Sequence, residues 1–159
     1  LNLEPDVFVY LYQSHLEEID YKIISDIKSK RNGEKVFLVK NKIDLDFEEW
    51  LQSINTNKLE IESLSEEQME FMIKEHWPAF NQKLDNCFTS FLAHNKLDLH
   101  EKCYFISSNS FYRPFFDFDM LICDLLNYLP PEKSNRFKDV LRYVFNKTYL
   151  SSLFKKSTI

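Results

Sequence analysis

Three short apolar runs, two of them separated from the next by stretches of helical periodicity and the last followed by one, constrain this chain more than any other feature. Val7-Phe8-Val9-Tyr10-Leu11-Tyr12, Val36-Phe37-Leu38-Val39 and Cys103-Tyr104-Phe105-Ile106 are too short for typical helices and rich in strand formers. Each reads as a buried strand. From about His15 to Arg31, Leu16, Ile19, Ile23, Ile24 and Ile27 recur at helical spacing, and Asn32-Gly33 supplies a stop of the C-cap kind. Ser65-Glu66-Glu67-Gln68 fits a capping box, with Met69, Met72, Ile73, Trp77, Phe80, Leu84, Phe88, Phe91 and Leu92 continuing behind it. Pro78 is expected to kink that helix or open a second one. Phe118, Leu121, Ile122, Leu125, Leu126 and Leu129 form a helical stripe behind Asp117 and Asp119, ended by Pro130-Pro131. Ser134 is expected to cap one more amphipathic stretch through Phe137, Val140, Leu141 and Val144. Strands alternating with helices predict an α/β fold: a parallel sheet of three strands, flanking helices on both faces, and a helical C-terminal tail.

At 159 residues the chain suits one domain with a real core. A start at Leu1 rather than Met is what a fragment or processed product would show. Aromatic residues make up 16%, which is a globular composition. The formal net charge of -5 carries no basic footprint, so no nucleic-acid partner is expected. No apolar run approaches the roughly 18 residues of a membrane-spanning helix. Cys87, Cys103 and Cys123 lack C-x-x-C spacing, against a disulfide framework or zinc site and in favour of a reducing, cytoplasmic setting. Gly33 is the single glycine. Phosphate-cradling loops use several glycines to bring backbone N–H groups up to a phosphate, so no P-loop lies in this chain.

In an open α/β sheet, ligands bind in the crevice beyond the carboxyl ends of the strands. Asn41-Lys42-Ile43-Asp44 lies at the end of the second strand, and its residue types suit guanine. The Asp44 carboxylate only accepts, and guanine offers it N1–H and the exocyclic N2 amino group; adenine offers neither. Charge-assisted bonds contribute on the order of 1.5–3 kcal/mol each, so two give several hundredfold discrimination. The Asn41 amide can donate to O6 or N7 or brace the neighbouring loop, and the Lys42 stem can cover the base plane. By chance such a four-letter pattern recurs in about one or two chains in a hundred of this length, and its bland reading is a polar turn. Position directly after an apolar strand favours the functional one. Ile106-Ser107-Ser108-Asn109 ends the next strand, where backbone N–H groups of the turn can meet guanine O6.

These segments together resemble the immunity-related (interferon-inducible) GTPases. Asp6 to Leu11 is similar to the family's central strand, and Lys35 to Asp44 to its base-recognition strand. Asn86-Cys87 lies in a stretch like the helix preceding Tyr104-Phe105-Ile106-Ser107-Ser108-Asn109. Phe116-Asp117-Phe118-Asp119-Met120-Leu121, then Leu129-Pro130-Pro131-Glu132-Lys133 and Phe137, resemble the Asp-Phe-x-x-Leu helix and the Leu-Pro-x-x-Lys/Arg segment. The likeness runs from about residue 5 to 145. It implies a partial P-loop-NTPase-like sheet, with 1–130 the C-terminal part of a GTPase-type domain and 131–159 the start of a helical extension. It further implies GTP or GDP as ligand, bound through Asn41, Lys42, Asp44, Ser107, Ser108 and Asn109, with Mg²⁺ only where the N-terminal half of such a domain is present. Phosphoryl transfer needs the P-loop Lys and Ser/Thr, so this chain alone is not expected to hydrolyse GTP, and it holds no catalytic or metal-ligating residue of that reaction. Homo-oligomers, a protein partner and peripheral attachment to intracellular membranes follow from the likeness alone. The alternative is a degenerate, non-catalytic interaction module on the same scaffold.

The remaining polar groups carry blander expectations. His94 and His100 flank Asp98 in what reads as a solvated loop, not a metal site. The cysteines read as core residues. Asp46, Glu48 and Glu49 read as a solvated face beside Asp44, and Lys155-Lys156 are too few to hold a membrane surface.

Overall fold

The computed structural model describes residues 5–31, 35–54, 61–94, 102–145 and 147–156. Strands β1 (Phe8–Tyr12), β2 (Val36–Lys40) and β3 (Cys103–Phe105) form one parallel sheet in the order β1-β2-β3. Helices α1 (Glu18–Lys30), α2 (Ile43–Ile54), α3 (Glu66–His94), α4 (Phe118–Tyr128), α5 (Pro131–Val144) and α6 (Lys147–Lys156) surround it. The α/β class with a three-stranded parallel sheet and flanking helices is therefore as the sequence predicts.

Alternation along the strands sorts the core into two halves. Val36 and Leu38 of β2, with Cys103 and Phe105 of β3, face Ile24 of α1, Ile43, Phe47 and Leu51 of α2, and Met69, Ile73 and Phe80 of α3. Phe37, Val39, Tyr104 and Ile106 face the other way, onto Leu121, Ile122, Leu125 and Leu126 of α4, Leu141 of α5, and Leu150 and Leu153 of α6. Both connections between consecutive strands thus cross the same face, as strands advancing in one direction require under a constant crossover hand. The central strand β2 is buried along its whole length, which is why it reads as an unbroken apolar run.

Several local expectations are corrected. Ile19 and Ile23 are exposed, because α1 turns Tyr21 and Ile24 inward and Tyr21 stacks on Phe91 of α3. Of the two outcomes expected at Pro78, a second helix does not open: α3 runs through it, and Trp77 and Phe80 pack against Phe116 and Trp50 on either side. Tertiary burial there outweighs the lost i→i−4 bond. Ser134 is not a cap. With Pro at the first helical position α5 begins at Pro131, and Ser134, buried inside its first turn, donates its N–H to Pro130 O at 2.8 Å. Val140 and Val144 stay exposed while Leu141 is buried. The capping box at Ser65 is present: Ser65 N donates to Gln68 Oε1 at 2.9 Å and Gln68 N to Ser65 Oγ at 3.3 Å. The expected stop at Asn32-Gly33 lies outside the described residues, as do Asp98 and His100; among the described residues no group of acidic, His and Cys side chains is arranged to hold a metal. Among them, too, no helix is long and apolar enough to cross a membrane.

Candidate functional site

The ends of β2 and β3 are stitched together by backbone bonds that continue the ladder. Ile106 N donates to Lys40 O at 2.9 Å, and Ile43 N donates back to Ile106 O at 3.1 Å. On the other side Asn41 N donates to Tyr12 O at 2.9 Å, so the first motif is held between β1 and β3. The sequence-predicted residues Asn41, Lys42, Asp44, Ser107, Ser108 and Asn109 therefore lie on two adjacent segments at the carboxyl edge of the sheet.

Lys42 turns the chain from strand to helix with φ at 60°, in the left-handed region. For a residue with a side chain this costs about 1–2 kcal/mol, and such strain concentrates where a side chain must be aimed. Its side chain is exposed, as a lid over a base would be. The motif is not a simple loop, however: α2 begins at Ile43, so Asp44 sits in its first turn, where the partial positive charge of the helix end favours a carboxylate.

Asp44 is only 9% exposed, and among the described residues no hydrogen-bond donor meets its carboxylate. The Asn41 Oδ1 atom is buried and meets no donor among the described residues. Turn chemistry would have each of these side chains accept from a backbone N–H two or three residues on, and neither does. A buried polar atom is rarely left this way, so the Asn41 oxygen stands out from an ordinary polar turn.

The second loop uses its side chains on itself. Ser107 is fully buried and its Oγ accepts from Asn109 N at 3.1 Å, while Asn109 Oδ1 accepts from Phe111 N at 3.0 Å. Arg113 ties the loop down, its N–H on Asn109 O at 3.0 Å and its guanidinium on Ser108 O at 3.4 Å. The Asn109 N–H is thus engaged within the turn. Tyr112, just beyond, donates to Glu48 of α2 and is near enough for the Asp44 charge to reinforce the rise in its pKa that burial begins. Loop and helix are in this way locked together.

Residues missed in the sequence complete the frame. Lys40, 8% exposed, donates to Gln13 O at 2.9 Å and pairs with Asp46. Asp46 and Glu48 are accordingly structural partners and not a solvated face. A cation six residues from an acid gives no periodic signal in sequence, and only the turn at Lys42 brings them together. Asp117 joins the loop's far end to β3: its N–H donates to Phe105 O at 2.9 Å and its carboxylate accepts from Phe105 N at 3.0 Å.

Burial holds the Asp117 carboxyl above the usual range, with Asp85 adding to it and the Phe105 N–H and Lys102 only partly opposing. The native state therefore takes up a proton more readily than the unfolded chain. The stability Asp117 supports is full below the unfolded carboxylate value of about 4 and is lost as pH rises through the higher folded value. Asp117→Asn keeps an acceptor for Phe105 N without the charge. It is expected to raise the urea midpoint at pH 7, with the gain vanishing below about pH 4. A loss of stability at pH 7 would show that the charge on Asp117 is needed, and a pH-independent difference would show that its ionisation does not set the effect.

Compared with protein-family models, curated proteins and solved structures, the chain shows no significant match.

Proposed function

We propose that the carboxyl edge of β2 and β3 binds the base of a guanine nucleotide, as the base-reading part of a P-loop-NTPase-like domain akin to the immunity-related GTPases. The observation that carries this reading is Asp44: a carboxylate nearly buried at a strand's carboxyl end, lacking any donor among the described residues. Guanine N1–H and N2–H₂ are two donors spaced for one carboxylate, and their binding would satisfy it. Asn41, with a buried amide oxygen also lacking a donor, contributes its amide N–H to O6 or N7; Lys42 covers the base; Ser108 N–H approaches O6. GTP and GDP are the ligands, with no GTP hydrolysis by the chain as given, since it has no glycine-rich phosphate cradle. Mg²⁺ enters only with phosphate-binding elements supplied from outside these residues.

A nucleoside tests base recognition without phosphates. Guanosine added to the ¹⁵N-labelled chain should shift the amides of Asn41, Asp44 and Ser108 saturably, and adenosine should leave them in place. Equal responses to both, or none to either, would refute the reading.

A second reading, the non-catalytic interaction module, has its own support. Val9 and Leu11 of the edge strand β1 are 47% and 56% exposed, and the outer edge of β1 pairs with no strand among the described residues. An open apolar edge of this kind is a template for another chain. Under this reading the chain self-associates with rising concentration in sedimentation, and Leu11→Lys returns it to a monomer. A wild-type chain that is monomeric at high concentration removes self-association as the covering contact.

A further inference from the structure

Arg113 belongs to two parts of the molecule at once. Its backbone N–H donates to Asn109 O at 3.0 Å and its guanidinium to Ser108 O at 3.4 Å, both in the turn after β3. The same guanidinium carbon lies 5.4 Å from the centroid of Phe118, which opens α4, and 5.1 Å from that of Phe145. Phe145 ends α5, its N–H on Leu141 O at 2.9 Å, and stands two residues before α6 begins at Lys147. The rings carry the contact onward. Phe118 meets Phe145 edge to face at 5.8 Å, Phe145 meets Tyr149 of α6 at 5.3 Å, and the Tyr149 hydroxyl donates to Asp119 of α4. Among the described residues no carboxylate pairs with Arg113, so its planar cation is committed to the turn and to the rings.

We propose that Arg113 is a positioning residue coupling the Ser107–Asn109 turn to the junction of α5 and α6, so that base binding at the turn and docking of the C-terminal helices favour each other. The guanine half of this inference rests on the base-binding reading above; the coupling of turn and helices does not. In that reading Ser108 offers its N–H to the base while its carbonyl is held by Arg113, so one residue is fixed from both sides. A turn free to shift must be ordered as the ligand binds, which costs affinity. Arg113, held by Phe118 and Phe145, supplies part of that order beforehand. Linkage makes the effect reciprocal: an occupied turn holds Arg113 against Phe145 and steadies the start of α6.

Hydrogen exchange in the ligand-free ¹⁵N-labelled chain tests the coupling. Phe145→Leu keeps an apolar side chain but removes the ring. It should speed exchange of the Asn109 and Phe111 amides about two- to fivefold, the scale of one cation–π contact, and leave Leu38 and Val39 in the sheet unchanged. Arg113→Met should do the same, Arg113→Lys should do less, and Phe145→Leu with Arg113→Met should do no more than either alone. Unchanged rates at Asn109 and Phe111, a uniform acceleration that includes Leu38 and Val39, or additive effects in the double variant would each overturn the proposal. Guanosine then separates the two readings. Phe145 and Tyr149 amides should shift together with those of Asn41, Asp44 and Ser108. Arg113→Met should lose the two distant shifts and weaken guanosine about two- to fivefold. Shifts confined to Asn41, Asp44 and Ser108 would overturn the coupling and leave base recognition standing. Shifts nowhere would overturn base recognition, and the exchange rates would still decide whether turn and helices are coupled.

Discussion

Asp44→Asn is expected to exchange guanine for xanthine. Under the proposed reading the wild-type carboxylate accepts from N1–H and from the amino group at C2; an asparagine has one acceptor and one donor, so its NH₂ would meet the guanine amino group donor to donor. Loss of one charge-assisted bond and creation of a repelling contact weaken guanosine by roughly a hundredfold or more, on the order of 3 kcal/mol. Xanthine carries a carbonyl at C2 and keeps N1–H, so the amide pairs with both. Titrating the variant with guanosine and xanthosine, following the same amides, reads the exchange directly. A variant that keeps its preference for guanosine would mean that Asp44 does not touch the base. A variant that prefers neither while remaining folded would assign Asp44 to the start of α2 alone, where the helix end accounts for a carboxylate without any ligand.

How much of this was legible depended on whether a residue's partner is set locally or across the fold. The strands were legible because a parallel sheet covered on both faces demands continuous apolar runs, and Val36 to Val39 supplies one. Helix α4 was legible because its buried residues Leu121, Ile122, Leu125 and Leu126 form one stripe. Helix α2 was not, since its first turn coincides with a motif that reads as a loop; yet Ile43, Phe47, Trp50 and Leu51 carry the spacing that would have revealed it. The isoleucines of α1 misled for another reason. Two adjacent faces of that helix are apolar, and only packing of Tyr21 on Phe91 decides which is buried. At the candidate site the sequence placed both motifs at strand ends, but which of their groups remain available could be read only from the fold. Ser107 and Asn109 satisfy each other and the turn, while the buried Asn41 oxygen meets no donor among the described residues.

The second large effect is expected at Phe47, which fixes α2 and with it the motif at its head. Phe47 is fully buried and meets three other rings, Phe80 of α3 at 5.5 Å, Trp50 at 6.0 Å and Phe116 at 6.3 Å between centroids. These contacts join α2, α3 and the segment leading into α4 on one side of the sheet. Phe47→Ala removes the ring and leaves a void that such a framework of large side chains fills poorly, at a cost of about 3–5 kcal/mol. A domain of this size holds on the order of 5–15 kcal/mol in total, so the loss is a large share. The melting temperature should fall by roughly 6–20 °C, taking about 2–4 °C per kcal/mol. Tyr143→Ala, at a side chain 92% exposed on α5, is the control and should stay within about 0.5 kcal/mol of wild type. Because Asp44 lies one helical turn before Phe47, the loosened helix should also blunt the guanosine shifts at Asp44 at temperatures where the far-ultraviolet spectrum is still native. A Phe47→Ala chain that melts within a degree or two of wild type would mean that α2 is not docked by this aromatic cluster, and the buried state of Asp44 would lose its physical cause.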